Sequence, residues 1–291
     1  MRRIDAHHHL WDLDVRDQDW ITGDAMAPIR RSFSVDDLAG AAQGLDATVV
    51  VQTVTVPEET PELLVVAESN ELVAAVVGWT DLTAPSVADD LAALSEGPGG
   101  RWLRGIRHQV QGEPDPRWLC RDNVRRGLRA VHEAGMVYEL LTLPPQLPAA
   151  VETVAALPEA NFVLDHCSKP LIAAGTLEPW ATDLRRLASY PNVTCKLSGL
   201  VTEARWSSWT VDDLRPYADV VLEAFGPDRV MFGSDWPVCL LAASYAEVVE
   251  AAEALTAGLT AAERDAVFGG AAARVYGLWT GARPAARSAS R

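Results

Sequence analysis

The sequence predicts one α/β domain, a (β/α)8 or TIM barrel of eight parallel strands covered by helices. Three observations predict it. Eight apolar runs rich in valine and leucine recur along the chain, amphipathic segments separate most of them, and scarce ionisable residues fall at the ends of the runs. Near-continuous apolar strands mark a parallel sheet buried on both faces, and eight such units close most naturally as a barrel. An open doubly wound sheet is the competing class, but no Gly-x-Gly-x-x-Gly turn follows the first strand.

The first run, 3–9, is short and closes on His7-His8-His9. Two β-branched runs follow at 48–55 and 74–80, then 103–109, 136–142, 162–166, 193–198 and 230–235. Helical spacing of apolar residues predicts helices around 63–70, 87–95, 124–134, 147–157, 180–189, 212–225 and 245–255. Ala134-Gly135 stops one helix just before a strand, and Pro191-Asn192 stops another. Residues 12–34 are too long and irregular for an ordinary strand-to-helix connection, and they carry Trp20, Met26, Arg30 and Arg31. A segment of that kind is expected to be a functional lid or to be disordered. The barrel domain is expected to span residues 1–280. Residues 281–291, a Ser/Ala/Arg/Pro run with no apolar period, are expected to form a mobile, disordered tail.

Among 291 residues, 48% are hydrophobic and 22% charged, the balance of a globular protein with an ample core. No stretch approaches the roughly 18 consecutive apolar residues of a membrane span. The opening Met1-Arg2-Arg3 lacks the apolar centre of a signal peptide, so a cytoplasmic location is expected. A net charge of -15 argues against nucleic acid or an anionic membrane as partner, since either needs a basic stripe. Cys120, Cys167, Cys195 and Cys239 are far apart and mostly in apolar runs, which fits reduced, buried thiols.

Active groups of such barrels sit at the C-terminal ends of the strands. His7 and His9 point to one side of the first strand while His8 points away. Gln52 lies late in the second run, and Arg107 and His108 end the fourth. Asp165 and His166 end the sixth, Lys196 and Ser198 the seventh, and Asp235 the eighth. Only His132 sits in a helical stretch. Each has a duller explanation: a hydrogen-bonded core histidine, a capping aspartate, a lysine whose stem reaches solvent. Burying so many ionisable groups on one rim for stability alone would cost more than it returns. There is no Gly-x-Ser-x-Gly elbow, Walker loop or His-Glu-x-x-His helix. What remains is a water-using hydrolase in which Asp235 takes a proton from water and a cation or protonated donor polarises a carbonyl.

His7-x-His9, Asp165-His166-Cys167-Ser168-Lys169-Pro170, Lys196-Leu197-Ser198-Gly199-Leu200 and Met231-Phe232-Gly233-Ser234-Asp235-Trp236-Pro237 resemble the amidohydrolase superfamily. With Gln52-Thr53-Val54, Val77-Gly78-Trp79-Thr80-Asp81-Leu82 and Gly105-Ile106-Arg107-His108, the chain looks most like its branch of sugar-lactone hydrolases, which includes fuconolactonase and rhamnonolactonase. The resemblance covers residues 3–278. It implies a distorted barrel whose central site is His7, His9, His166 and Asp235, with Asp235 as general base. The fifth run, Val137-Tyr138-Glu139-Leu140-Leu141-Thr142, offers neither a bridging lysine nor a histidine, so a two-metal centre is not expected. His7, His9, His166 and Asp235 can bind one divalent ion, zinc by preference, with a position open for water. The same four residues could instead work without metal, as a hydrogen-bonded cluster.

The implied reaction is opening of an aldonolactone, such as L-fuconolactone or L-rhamnonolactone, to its hydroxy acid. Catalysis is expected from Asp235 and His166, with Arg107 or His108 holding the oxyanion. Substrate contacts are expected from Trp20, Gln52, Tyr138, Lys169 and Trp236, because indoles cover sugar C-H faces and the polar groups reach hydroxyls. The expected partner is a small lactone, with neither nucleic acid nor membrane involved, and a homo-oligomer is allowed. Two rival readings are hydrolysis of a dicarboxylic lactone or decarboxylation of an aromatic acid, which would need converging cations, and a non-catalytic sugar-binding barrel.

Overall fold

A computed structural model describes residues 2–42 and 44–278; the expected tail at 281–291 lies outside the described residues. Eight parallel strands pair in chain order: β1 (Ile4–His8), β2 (Ala47–Val51), β3 (Val73–Gly78), β4 (Leu103–His108), β5 (Val137–Leu140), β6 (Phe162–Leu164), β7 (Val193–Leu197) and β8 (Val230–Phe232). The helices are α1 (Val35–Ala41), α2 (Glu59–Ser69), α3 (Val87–Glu96), α4 (Asp122–Glu133), α5 (Leu147–Ala156), α6 (Trp180–Ala188), α7 (Leu200–Glu203), α8 (Val211–Phe225), α9 (Tyr245–Leu255), α10 (Ala261–Asp265) and α11 (Ala271–Val275). This is the predicted TIM barrel, nearly closed. The seam between β8 and β1 is joined beyond the end of β8, where Asp235 donates its N–H to the His7 carbonyl at 2.8 Å and His9 donates to the Trp236 carbonyl at 2.7 Å.

All eight expected strands and all seven expected helices are present. Helix α1, unforeseen, starts on a local signal: Ser34 and Asp37 cap each other's backbone N–H groups in a reciprocal box. It matters little to the site.

Inside the barrel, Val49, Val51, Ala75, Val77, Val137, Val163 and Met231 form an apolar floor. Each of its valine and methionine side chains contributes roughly 1.5–3 kcal/mol on burial. Tyr276, beyond α11, closes the floor from below. On β1 the pairing with β2 shifts register between Asp5 and His8. Ile4 and Ala6 join the apolar floor, whereas Asp5 accepts the N–H groups of His7 and Ser234. The irregularity sends both Ala6 and His7 inward.

Residues 12–34 are neither disordered nor a bare loop. They fold around buried Trp11, Ile21, Ile29 and Phe33, with two turns of 3-10 helix at Asp24–Ile29. Arg30 ties the strap internally, donating to the Ile21 carbonyl at 2.7 Å and pairing with Asp17 at 3.0 Å. All four cysteines are free, and three are fully buried, as their apolar surroundings predict. No helix among the described residues is long and apolar enough to cross a membrane.

Candidate active site

At the end of β1, His7 and His9 face inward together, as strand alternation requires. The Nδ1 of His9 donates to the Val51 carbonyl at 2.7 Å, because a carbonyl can only accept. Its Nε2 lies 3.2 Å from Nε2 of His7.

His166 follows β6 with φ 50°, the first of four consecutive non-glycine residues in left-handed backbone, through Lys169. Such residues cost about 1–2 kcal/mol each and need support. Support is present. Ser168 and Thr142 hydroxyls pair at 2.8 Å, and Trp180 donates its indole N–H to the Cys167 carbonyl at 2.7 Å. The turn aims the His166 ring at His7, 4.4 Å between centroids, and Ser198 Oγ holds its Nδ1 at 2.9 Å.

Asp235 also has left-handed backbone, φ 57°. Its Oδ1 lies 3.5 Å from Nε2 of His9, 3.7 Å from Nε2 of His166 and 3.8 Å from Nε2 of His7. Burial lowers the His166 pKa to about 4, and burial together with Lys196 holds His7 well below its ordinary value. Both imidazoles are thus neutral at pH 7. Burial acts to raise the Asp235 pKa, but His166, His9 and Lys169 outweigh it and the net shift is downward, so the carboxyl is ionised.

His7, His9 and Asp235 bring ligand atoms close enough together to hold a divalent cation, with His166 beside them. In tetrahedral zinc sites the bonds are about 2.0–2.1 Å, which makes the edges between ligand atoms about 3.3–3.4 Å. The contacts named above run from 3.2 to 3.8 Å. Asp165 stands behind this set: its fully buried Oδ1 lies 3.4 Å from Nδ1 of His7 and 3.1 Å from the Lys196 ammonium. A metal-ligating histidine usually donates its other ring N–H to such a carboxylate.

Beneath these groups lies a buried charged layer. Arg107 donates to Asp165 Oδ2 at 3.1 Å, to Gln52 Oε1 at 3.0 Å and to the Gln52 carbonyl, and its Nη1 is 3.3 Å from Nε2 of His7. Lys196 Nζ meets Glu139 Oε2 at 2.6 Å, His7 Nδ1 at 3.0 Å and Asp165 Oδ1 at 3.1 Å. Tyr276 donates to the other Glu139 oxygen at 2.5 Å. Instead of stretching to solvent, Lys196 is fully buried.

Not every expected residue reaches this centre. His108 turns toward the helices: Trp79 donates to its Nδ1 at 3.0 Å, its Nε2 donates to Glu113 at 2.8 Å, and it stacks on Trp118 with centroids 4.3 Å apart. Tyr138, one place from inward Glu139, is buried against Phe162 on the helix side of the sheet. Trp236 is buried edge-on against Phe33, 5.2 Å between centroids, and so is not presented to a ligand. Gln52 is spent on Arg107. Trp20 packs edge-on against Trp11 within the strap. Lys169 does stand at the rim, partly exposed and 3.8 Å from Glu203. Strand alternation was the available signal for His108 and Tyr138, since each adjoins an inward residue. Glu139 and Tyr276 were missed, and the only cue to Glu139 was a carboxylate within an apolar strand.

A barrel that gathers three imidazoles and a carboxylate at the C-terminal ends of β1, β6 and β8 is the framework of a hydrolase that works on water. The chain belongs to the amidohydrolase family, whose model matches residues 4–278. It is 44% identical over 290 residues to L-fucono-1,5-lactonase of Burkholderia multivorans, covering 95% of this chain and 96% of that one. It is 39% identical over 249 residues to L-fucono-1,5-lactonase of Burkholderia ambifaria, 84% of this chain and 83% of that one. A crystal structure of an amidohydrolase from Burkholderia multivorans with bound zinc superimposes with a TM-score of 0.90 at 42% identity, covering 96% of this chain and 100% of that one.

Proposed function

We propose that the protein hydrolyses a sugar-derived lactone to its hydroxy acid, with L-fucono-1,5-lactone as the first substrate to test. The names of its relatives point to the substrate. The observation that carries the chemistry is the convergence of Asp235 Oδ1 on the three Nε2 atoms of His7, His9 and His166.

Those four residues would hold one divalent cation, zinc by preference; bound there, it supplies Lewis-acid polarisation of a carbonyl and lowers the pKa of water. The protein's own groups do the rest. Asp235 turns Oδ1 to the imidazoles, which leaves Oδ2 to accept the proton of the attacking water. The water oxygen bonds to the lactone carbonyl carbon, the ring C–O bond breaks, and Asp235 returns the proton to the departing alkoxide. Arg107 Nη1, 3.3 Å from Nε2 of His7, stabilises the charge that develops on the carbonyl oxygen. His166, neutral and fixed by Ser198, keeps its lone pair aimed inward.

At the rim the Lys169 and Glu203 pair offers a donor beside an acceptor, which suits the hydroxyls of a neutral sugar lactone. A dicarboxylic substrate would need spare cations. Arg30 is tied to Asp17 and Ile21, and Arg31 lies over the Phe33 ring at 3.8 Å, so each already has a partner.

The test is a pH-indicator assay on a panel of neutral and dicarboxylic lactones, before and after chelation. Turnover of L-fucono-1,5-lactone that is lost on chelation and restored by zinc is the expected result. Zinc-loaded protein that opens no neutral sugar lactone would overturn the reading.

A further inference from the structure

Lys169 and Glu203 face each other at the mouth of the site across a gap. Lys169 ends the left-handed run that begins at His166. Glu203 ends α7, which packs on the 3-10 turn at Ile172–Ala174 that follows the same loop. Their side chains are only 24% and 23% exposed, yet Nζ and Oε1 stand 3.8 Å apart, beyond hydrogen-bond reach. Among the described residues no hydrogen bond reaches Lys169 Nζ or the Glu203 carboxylate. A carboxylate covered to that degree without a donor is a burden on the fold.

The gap has the size of one hydroxyl oxygen. Placed about 2.7 Å from the carboxylate and about 2.9 Å from the ammonium, such an oxygen sees the two partners at about a right angle. Its hydrogen then points to Glu203 and a lone pair to Lys169. A carboxylate can only accept and an ammonium can only donate, so the atom that suits both is a neutral group that does each. An anion would meet Glu203, and a cation would meet Lys169. Both groups also feel Asp235: Lys169 follows His166 and His9 among the groups that hold the Asp235 carboxyl down against burial, and Asp235 adds to the burial that pushes the Glu203 carboxyl up.

The geometry points to Lys169 and Glu203 as a specificity-determining pair that clasps the hydroxyl on the carbon next to the lactone carbonyl. The substrate class is therefore the 2-hydroxy lactones, and lactones with a bare carbon at that place are rejected. This inference rests on the reading of Asp235 as the base at the carbonyl, which puts the adjoining carbon closest to the pair.

The test is a cycle of substrate and variant, run on zinc-loaded full chain with L-fucono-1,5-lactone and its 2-deoxy analogue. Wild type is expected to prefer the hydroxylated lactone by about 10- to 100-fold in kcat/KM, the scale of a hydrogen bond to a charged group. In Glu203→Ala and in Lys169→Met the preference should shrink to about 3-fold or less, and the cycle cancels any intrinsic difference in reactivity between the two lactones. Glu203→Gln, which keeps an acceptor, should retain part of it. Glu203→Ala should also melt no lower than wild type, because it removes a covered charge that has no donor. A wild type that opens both lactones equally well overturns the inference. So does a preference that survives in both variants, and if Glu203→Ala does not fold, Lys169→Met decides. Calorimetric binding of the ring-opened acids, L-fuconate and its 2-deoxy analogue, reads the same cycle without turnover. A cycle present in binding while no lactone is opened would sink the proposed reaction and leave this inference standing. Lactone turnover with no cycle would do the reverse.

Discussion

Asp235 is fastened to His7 by backbone: its N–H donates to the His7 carbonyl at 2.8 Å across the seam of the barrel. The contact places the last strand's carboxyl group beside the first strand's imidazoles without using either side chain. Position and chemistry are therefore separable at residue 235. The left-handed φ of 57° adds a constraint that asparagine meets almost as well as aspartate.

Asp235→Asn should therefore fold normally and fail chemically. It keeps the backbone bond and the turn but loses the group that accepts the water proton, which is worth about 100-fold or more in kcat. Lactone turnover and thermal unfolding measured on the same preparation check this. Near-normal turnover would remove Asp235 from its role.

Two glycines make room for the imidazoles. A Cβ on Gly233 would stand 2.7 Å from Cβ of His7, and one on Gly199 would stand 2.7 Å from Nδ1 of His166 at φ 66°. Gly233→Ala and Gly199→Ala should each displace a ring, costing about 1–3 kcal/mol of stability and up to about 100-fold in kcat. Gly226→Ala is the control, since φ 70° with ψ 155° strains an alanine at least as much but nothing lies within 4 Å. It should lower the melting temperature and leave kcat alone. Equal kinetic effects from all three would show that the crowding of the rings is irrelevant.

Much of this was written in the pattern of the chain. The strands were legible because valine-rich runs can only be buried, and the four converging residues because each ends such a run. Depth was not legible. Lys196 occupies a strand end, yet nothing in its neighbours distinguishes a stem running to solvent from an ammonium enclosed by Glu139, Asp165 and His7. Those partners come from strands far apart in sequence. Nor does a one-dimensional pattern reveal the irregularity on β1 that turns Ala6 and His7 to the same side.

Arg107 and His108, adjacent in sequence, should separate in function. Arg107→Lys keeps a charge but loses the fork that binds Gln52 and Asp165. It should lower kcat by about 100-fold. His108→Ala leaves the Trp79 N–H without its partner and removes the stack on Trp118, at a cost of about 1–3 kcal/mol in stability. Its kcat should stay near that of the wild type. Parallel measurement of kcat and denaturation midpoint distinguishes the two, and a His108→Ala enzyme as slow as Arg107→Lys would return His108 to the chemistry.

Acid should destabilise the cation-free protein between pH 7 and pH 5. Burial drives the pKa of His166 down to about 4 and of His8 to about 3, and burial with Lys196 holds His7 far below its usual value. In the unfolded chain each takes up a proton near pH 6.5. The unfolded state therefore binds more protons as pH falls, and stability falls with it. Four carboxyls oppose this. Burial raises Asp5 to about 6, burial with Asp165 raises Glu139, and burial raises Glu59 and Glu203, so the folded protein retains protons there that the unfolded chain gives up. Near pH 6 the unfolded chain already holds most of a proton on each of the three histidines, and that uptake sets the sign. Denaturant midpoints of chelated protein at pH 7, 6 and 5 should fall in that order. A midpoint that holds steady or rises toward pH 5 would mean that these imidazoles are already charged in the folded state, and neutral nitrogen ligands at His7 and His166 would go with it.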